Sequence, residues 1–285
     1  MIGATRYRVT AEINRQSSLA KEISRAQSDI SSEKRLRTAS DDPGASARVA
    51  DIRRKQANET AWAANAETGA SVADAADSTL KLVSTGLDRA RELVIAGSSA
   101  NASPADRASY ATELRGIVDD LAGYAKQTDS RGLPIFPTDA PIEIPIGSGI
   151  AVPATVARDK AFGGVATASG TKDLATILNQ AAAAMETSDG TARTAALNGS
   201  LTDIAAATSH VADVHAEQGR RAAKFDTARD RLTDSATELA DERGTLEGTD
   251  ITATVARLQS KLLTLEAAQS AFARISKQTL FDVLG

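Results

Sequence analysis

Leu19, Ile23, Ala26 and Ile30 follow one another at spacings of four, three and four. That spacing lines them up along one side of an α-helix. The stripe stops near Leu36. A second stripe opens with Val49 and Ile52 and continues through Ala76, Leu80, Val83, Leu87, Ala90 and Val94. It predicts one helix from Pro43 to about Ala96, with Gly69 and Gly86 carried inside it at a cost of about 1 kcal/mol each. At about 1.5 Å per residue this helix is roughly 80 Å long. A third helix should start at Ser103-Pro104, with serine as cap, proline in the first turn and Asp106 just behind it. Its apolar stripe is Tyr110, Leu114, Ile117, Leu121 and Tyr124.

Residues 130–170 break this rhythm. Five of the seven prolines fall here. Ile142, Ile144 and Ile146 alternate with Glu143 and Pro145, which is a strand period, and Gly-Ile-Ala-Val-Pro at 149–153 offers a second strand. The prolines restrict both to edges or short pieces. The expectation is a small β insert, not a second core, and one that a short Gly/Ser linker can replace without loss of assembly.

Helix resumes over about Lys172–Glu186. Then Leu197, Ile204, Val211, Gln218, Phe225, Leu232 and Leu239 recur every seventh residue. Leu201, Thr208, His215, Ala222, Arg229 and Ala236 are read as the companion column, weaker than the first. A sustained heptad predicts a supercoiled pair or bundle. After Gly244 and Gly248 a last helix carries Ile251, Val255, Leu258, Leu262, Leu265, Gln269 and Phe272. The predicted fold is mainly α: a long antiparallel helical, coiled-coil rod built from the N- and C-terminal segments, with a small β insert in the middle. The expected divisions are 1–42 (terminal helix and linker), 43–129 (first half of the rod), 130–171 (insert), 172–246 (second half) and 247–285 (terminal helix).

Composition sharpens this picture. Aromatics are only 3% of 285 residues, and alanine stands in for them, which suits helices packed closely side by side. The overall charge of −4 gives no reason to expect a nucleic-acid partner. Residues 1–58 are basic, with twelve Lys/Arg against seven Asp/Glu. There is no cysteine, which removes disulfide and thiolate chemistry. Arg6, Arg8, Glu12 and Arg15 interrupt any apolar leader, and no apolar run reaches the ~18 residues of a membrane helix. Membrane insertion is not expected, and the chain is either cytoplasmic or exported by a route that reads no Sec signal.

Little of the sequence resembles chemistry. Asp41 and Asp42 are adjacent, but Asp42 precedes Pro43. Proline pushes the preceding residue into the extended backbone that a helix cap needs, and Asp at a helix start also meets the positive end of the dipole. Ser40, Asp41, Asp42 and Pro43 therefore read as a linker and cap. His210 and His215 are five apart, where zinc ligands on one helix face want four. Gly147-Ser148-Gly149 does not open a helix after a strand and is rejected as a phosphate loop. The reading is of a non-enzyme without cofactor or metal.

Two stretches then stand out: Leu-Arg-Thr-Ala-Ser-Asp-Asp-Pro-Gly-Ala-Ser-Ala-Arg-Val at 36–49, and Thr264 through Gly285, ending Thr-Leu-Phe-Asp-Val-Leu-Gly. They resemble the two ends of the flagellin family. Asp-Asp-Pro at 41–43 and Leu-Phe-Asp at 280–282 resemble its hook–filament junction members more than its filament formers. One departure is Glu33, which stands where the family's Ser-Ser-Gly-Lys-Arg turn has glycine. The resemblance implies a structural component of the bacterial flagellum, extracellular at the hook–filament junction. It implies that the terminal helices pack with other copies in a ring or helical layer. It implies export through the flagellar type III apparatus by a signal that is not cleaved, and the implied partners are the first hook-associated protein, flagellin and a cytoplasmic export chaperone. Leu19, Ile23, Ile30, Leu265, Phe272, Leu280 and Phe281 are the expected assembly contacts. A short filament-forming flagellin is the alternative.

Overall fold

The computed structural model describes residues 2–284, with side chains described for residue 7 and residues 9–274. Among the described residues, seven helices and four short strands follow in order. The helices α1 (Ile2–Ser32), α2 (Pro43–Ser98) and α3 (Pro104–Tyr124) come first. The insert holds β1 (Glu143–Gly147), β2 (Ile150–Pro153), α4 (Arg158–Phe162), β3 (Val165–Thr167) and β4 (Gly170–Lys172). Then come α5 (Leu174–Glu186), α6 (Gly190–Glu247) and α7 (Ile251–Leu284). The fold is mainly α with a small β insert, and α2 ends two residues past the predicted Ala96. Two compact units divide the chain: unit 1 is residues 1–57 with 236–285, and unit 2 is residues 58–235.

In unit 2 the stripe Ala76, Leu80, Val83, Leu87, Ala90 and Val94 is wholly buried. It joins one core with Leu114 and Leu121 of α3, Ile177 and Leu178 of α5, and Leu197, Ile204 and Val211 of α6. The start of α3 is a capping box: the Ser103 hydroxyl accepts from the Asp106 N–H at 3.1 Å, and the Asp106 carboxylate accepts from the Ser103 N–H at 3.0 Å. Asp173 caps α5 with a single bond, its carboxylate accepting from the Thr176 N–H at 2.5 Å.

The first heptad column of α6 is buried from Leu197 to Leu239. Its companion is not the column read from sequence. Leu201, Thr208, His215 and Ala222 are half-buried, and Arg229 and Ala236 are exposed. The buried companions lie one residue earlier, at Ser200, Ala207, Val214 and Ala228. All but Val214 are small residues, so they score weakly as hydrophobic, yet they let helices approach closely. Gln218 is fully buried in the first column. Its Nε2 donates to the Ala154 carbonyl at 2.8 Å and to the Ala73 carbonyl at 3.3 Å, joining α6 to the insert and to α2.

Against the expectation that the insert is not a second core, its first two strands share a second buried cluster with the helices. β1 and β2 pair antiparallel, with an irregularity between Pro145 and Gly147. The buried Ile146, Val152 and Ala154 pack with Ala66, Ala70 and Ala73 of α2 and with Phe225 and Ala228 of α6. Ile142 lies just before the strand and is exposed, so the alternation runs only through Ile144 and Ile146. Phe136 and Phe162 meet edge to face at 5.2 Å and belong, with Ile135, Val156 and Val165, to the main core. The β3–β4 hairpin has no counterpart in the sequence reading; three-residue strands are too short to show a period.

Gly69 explains how Phe225 sits where it does. A Cβ built on Gly69 would lie 2.2–2.6 Å from three atoms of the Phe225 ring. The glycine lets the ring rest on the helix backbone.

A terminal helix pair held at a corner

Unit 1 contains the residues that the sequence singled out. α1 and α7 pack against each other. Ile23 and Ala26 are buried, and Leu19, Ile30, Leu265 and Phe272 are half-buried. A Lys261–Glu22 ion pair bridges the two helices, and it holds the Glu22 carboxyl below the usual range through its hydrogen bond to Lys261. The side chains of Leu280 and Phe281 lie outside the described residues. Large apolar groups remain uncovered on both helices: Tyr7 (78% exposed) and Ile13 (55%) on α1, Leu262 (44%) and Leu263 (69%) on α7. Residues expected to meet other copies, Ile23 most clearly, are thus covered within the chain, while these four are not.

Between α1 and α2 the chain turns back on itself. Glu33 closes α1 with φ of 54°, the one left-handed non-glycine residue among those described. This is the position where the resembling family carries glycine. A Cβ in that region costs about 1–2 kcal/mol. The turn is then strapped to the α6–α7 corner. Thr249 N–H donates to the Glu33 carbonyl at 3.1 Å, and the Arg35 and Leu36 N–H groups donate to the Glu247 carbonyl at 2.8 and 3.3 Å. The corner itself is tight: a Cβ at Gly248 would come within 2.5 Å of the Gly244 carbonyl oxygen. Glu33→Gly should therefore raise stability by about 1 kcal/mol. A variant that melts at or below the parent temperature would show that the turn is not strained.

Glu247 is the node of this corner. Its side chain is 9% exposed. Arg53 donates to it at 2.6 Å, with Lys34 Nζ at 3.6 Å and Arg243 Nε at 3.9 Å. Close by, Arg48 grips Glu242 with two bonds of 2.6 and 2.8 Å. A glutamate at a helix end reads as solvated, and its partners are up to 213 residues away, so local sequence carries no signal for it.

The aspartates serve two different ends. Asp42 caps α2: its Oδ1 accepts from the Ala45 N–H at 3.0 Å, and its carbonyl accepts from the Ser46 N–H at 2.9 Å. Pro43 is the first residue of that helix. Asp41 instead holds the turn. Its Oδ2 accepts from the Thr38 N–H at 2.9 Å and the Arg37 N–H at 3.1 Å, and its Oδ1 takes Arg25 of α1 at 2.5 Å. The Ser40 hydroxyl pairs with that of Thr38 at 2.9 Å and caps nothing. Arg37 also reaches back to Asp29 of α1 at 2.7 Å.

The two amide bonds from Thr38 and Arg37, with Arg25 beside them, hold the Asp41 carboxyl far below the ordinary carboxylate range. A depressed pKa means that the clamp contributes fully above the unfolded value, near 4, and is withdrawn as pH falls from there through the folded value. Protection factors at the Arg37 and Thr38 amides should accordingly drop at about pH 3 relative to pH 6. Equal protection at the two pH values would refute the clamp.

His210 and His215 take separate partners, the Lys160 carbonyl at 2.9 Å and the Asp77 carboxylate at 2.8 Å, so they do not converge. No cluster of three or more candidate metal ligands occurs among the described residues. No described helix is long and apolar enough to cross a membrane.

A family description of the bacterial flagellin N-terminal helical region matches residues 8–137. The flagellar hook-associated protein 3 of Salmonella typhimurium is 33% identical over 107 residues, covering 38% of this chain and 34% of that protein. A flagellin of Escherichia coli O127:H6 is 28% identical over 133 residues, covering 47% and 24%. The chain thus spans about a third or less of the curated relatives it matches. Among solved structures, a putative flagellar hook-associated protein from Vibrio parahaemolyticus superposes with a TM-score of 0.64 at 18% identity, over 73% of this chain and all of that one. The flagellar junction protein FlgL from Legionella pneumophila gives 0.58 at 14%, over 70% and all of that chain. At such identities the likeness establishes the fold.

Proposed function

We propose that this chain, which is similar to the flagellin N-terminal helical region and to hook-associated protein 3, is a structural joint of the flagellum. In this reading it links the first hook-associated protein to the flagellin filament by packing its terminal helices with those of neighbouring subunits. It leaves the cell without a cleaved signal peptide, with the help of an export chaperone, and catalyses nothing.

One observation carries the reading. The α1–α7 pair covers its own seam yet leaves Tyr7, Ile13, Leu262 and Leu263 in water. Such groups on a thin two-helix pair mark surface that other helices cover on assembly.

Electron microscopy of cells lacking the protein tests this. Bare hooks, with flagellin lost to the medium, are expected. Complementation with Leu263→Glu should restore the protein in the medium but not the filaments, because a charge cannot be buried unpaired in a helix interface. Normal filaments in the deletion strain would overturn the proposal.

The second reading, a short filament-forming flagellin, draws on the longer though weaker match to flagellin. Purified protein that polymerises alone into long filaments would favour it.

A further inference from the structure

In unit 2, β2 and α6 enclose a recess of about 270 Å³ lined by Val152, Pro153, Glu217, Arg220, Arg221 and Lys224. The four charged residues of α6 fall at offsets of three, four and seven from Glu217, so they share one side of the helix. Lys160 of α4 reaches the same carboxylate at 2.5 Å, and Arg221 holds it at 2.7 Å. Four cations therefore gather around one acid. Arg220 and Lys224 have no acidic partner among the described residues, and both are exposed. Arg221 donates to the Pro153 carbonyl at 3.3 Å, yet its Nε–H is shut away from water without an acceptor.

This is not the background of the chain. Residues 59–285 hold 21 Lys/Arg against 30 Asp/Glu, so a concentration of cations there stands out. Nor is it shared by the basic recess in unit 1. There Arg37, Arg53 and Arg54 each hold a carboxylate of their own, from Asp29, Glu247 and Asp51. The positive field is already felt by Glu217, whose carboxyl is held below its usual range by its hydrogen bonds to Lys160 and Arg221.

We propose that the recess between β2 and α6 binds a doubly charged oxyanion of the phosphate or sulfate type. A single carboxylate would leave most of the excess charge uncompensated. A tetrahedral dianion offers acceptors to the exposed Arg220 and Lys224 together, with the Arg221 charge fixed beside them by Glu217 and the Pro153 carbonyl, as charge-assisted hydrogen bonds from guanidinium and ammonium groups require. The recess lies at the small end of ligand cavities, so the bound group is an anion or a small anion-bearing fragment. This inference does not rest on the flagellar reading.

Isothermal titration of the full chain with sodium phosphate, and separately with sodium sulfate, tests the site. Ionic strength is held constant with sodium chloride, so that general screening cancels. Saturable binding of both anions is expected. Arg220→Gln with Lys224→Gln should weaken it about tenfold or more, with an unchanged circular dichroism spectrum. Lys224→Gln alone, at an exposed position, keeps the comparison available if the double variant misfolds. Heats indistinguishable from those of chloride, or variants that bind as tightly as the parent, would overturn the proposal.

Discussion

Replacing residues 130–172 by a short Gly/Ser linker should unfold unit 2. Phe136 and Phe162 are in the main core, and Ile146 and Val152 cover Phe225. Burying each such side chain contributes about 1.5–3 kcal/mol. Losing these four alone removes roughly 6–12 kcal/mol, comparable with the whole stability of a domain at about 5–15 kcal/mol. The deletion would also strip Gln218 of its Ala154 partner and leave a fully buried amide half-bonded. Circular dichroism melting checks this. A shortened protein with the parent's melting temperature would mean that the helices of unit 2 close over the gap on their own.

Phe225→Ala should cost about 3–5 kcal/mol, since the ring is fully buried. The sharper expectation concerns Gly69. In the parent, Gly69→Ala drives a methyl group into the ring, and overpacking of this kind costs about 1–3 kcal/mol. With Phe225 already truncated, the clash is gone. The same substitution then adds helix propensity worth about 1 kcal/mol and fills part of the cavity. The sign of the Gly69→Ala effect should therefore reverse between the two backgrounds. A double-mutant cycle read by urea unfolding measures this directly. Additive effects would show that the backbone shifts to accommodate the methyl group and that the glycine is not needed for the ring.

How far the sequence revealed these features depended on the distance between the partners. The cap at Asp42 was legible because its hydrogen bonds reach only to Ala45 and Ser46. The same holds for Ser103 and Asp106. The stripe of α2 and the first column of α6 were legible because large aliphatic groups repeat at helical intervals. The companion column was misplaced by one residue because three of its four buried members, Ser200, Ala207 and Ala228, are small and weakly hydrophobic. The role of the insert was hidden by its prolines, which mark it as irregular but say nothing of where Phe136 and Phe162 are buried. Asp41 and Glu247 hold the corner of unit 1. The sequence marks the first as part of a linker but not its link to Arg25, sixteen residues away, and carries no mark of the second, whose contacts join opposite ends of the chain. Gly69 looked like a tolerated defect; its meaning appears only with the ring beside it.

The pairing of α1 with α7 also sets a clock. Glu22 and Lys261 are separated by 239 residues, so the helix that α1 packs along comes from the far end of the chain. At a synthesis rate of about 5–20 residues per second, the last helix follows the first by roughly 10–50 s. Throughout that interval unit 1 lacks one of its two long helices, and a lone amphipathic helix of this kind gains little by forming. Contacts so distant in sequence also make the final closure slow. The earliest part of the chain to be made is thus among the last to be completed, which leaves a long period in which a nascent molecule can still be captured, threaded or degraded as an open chain.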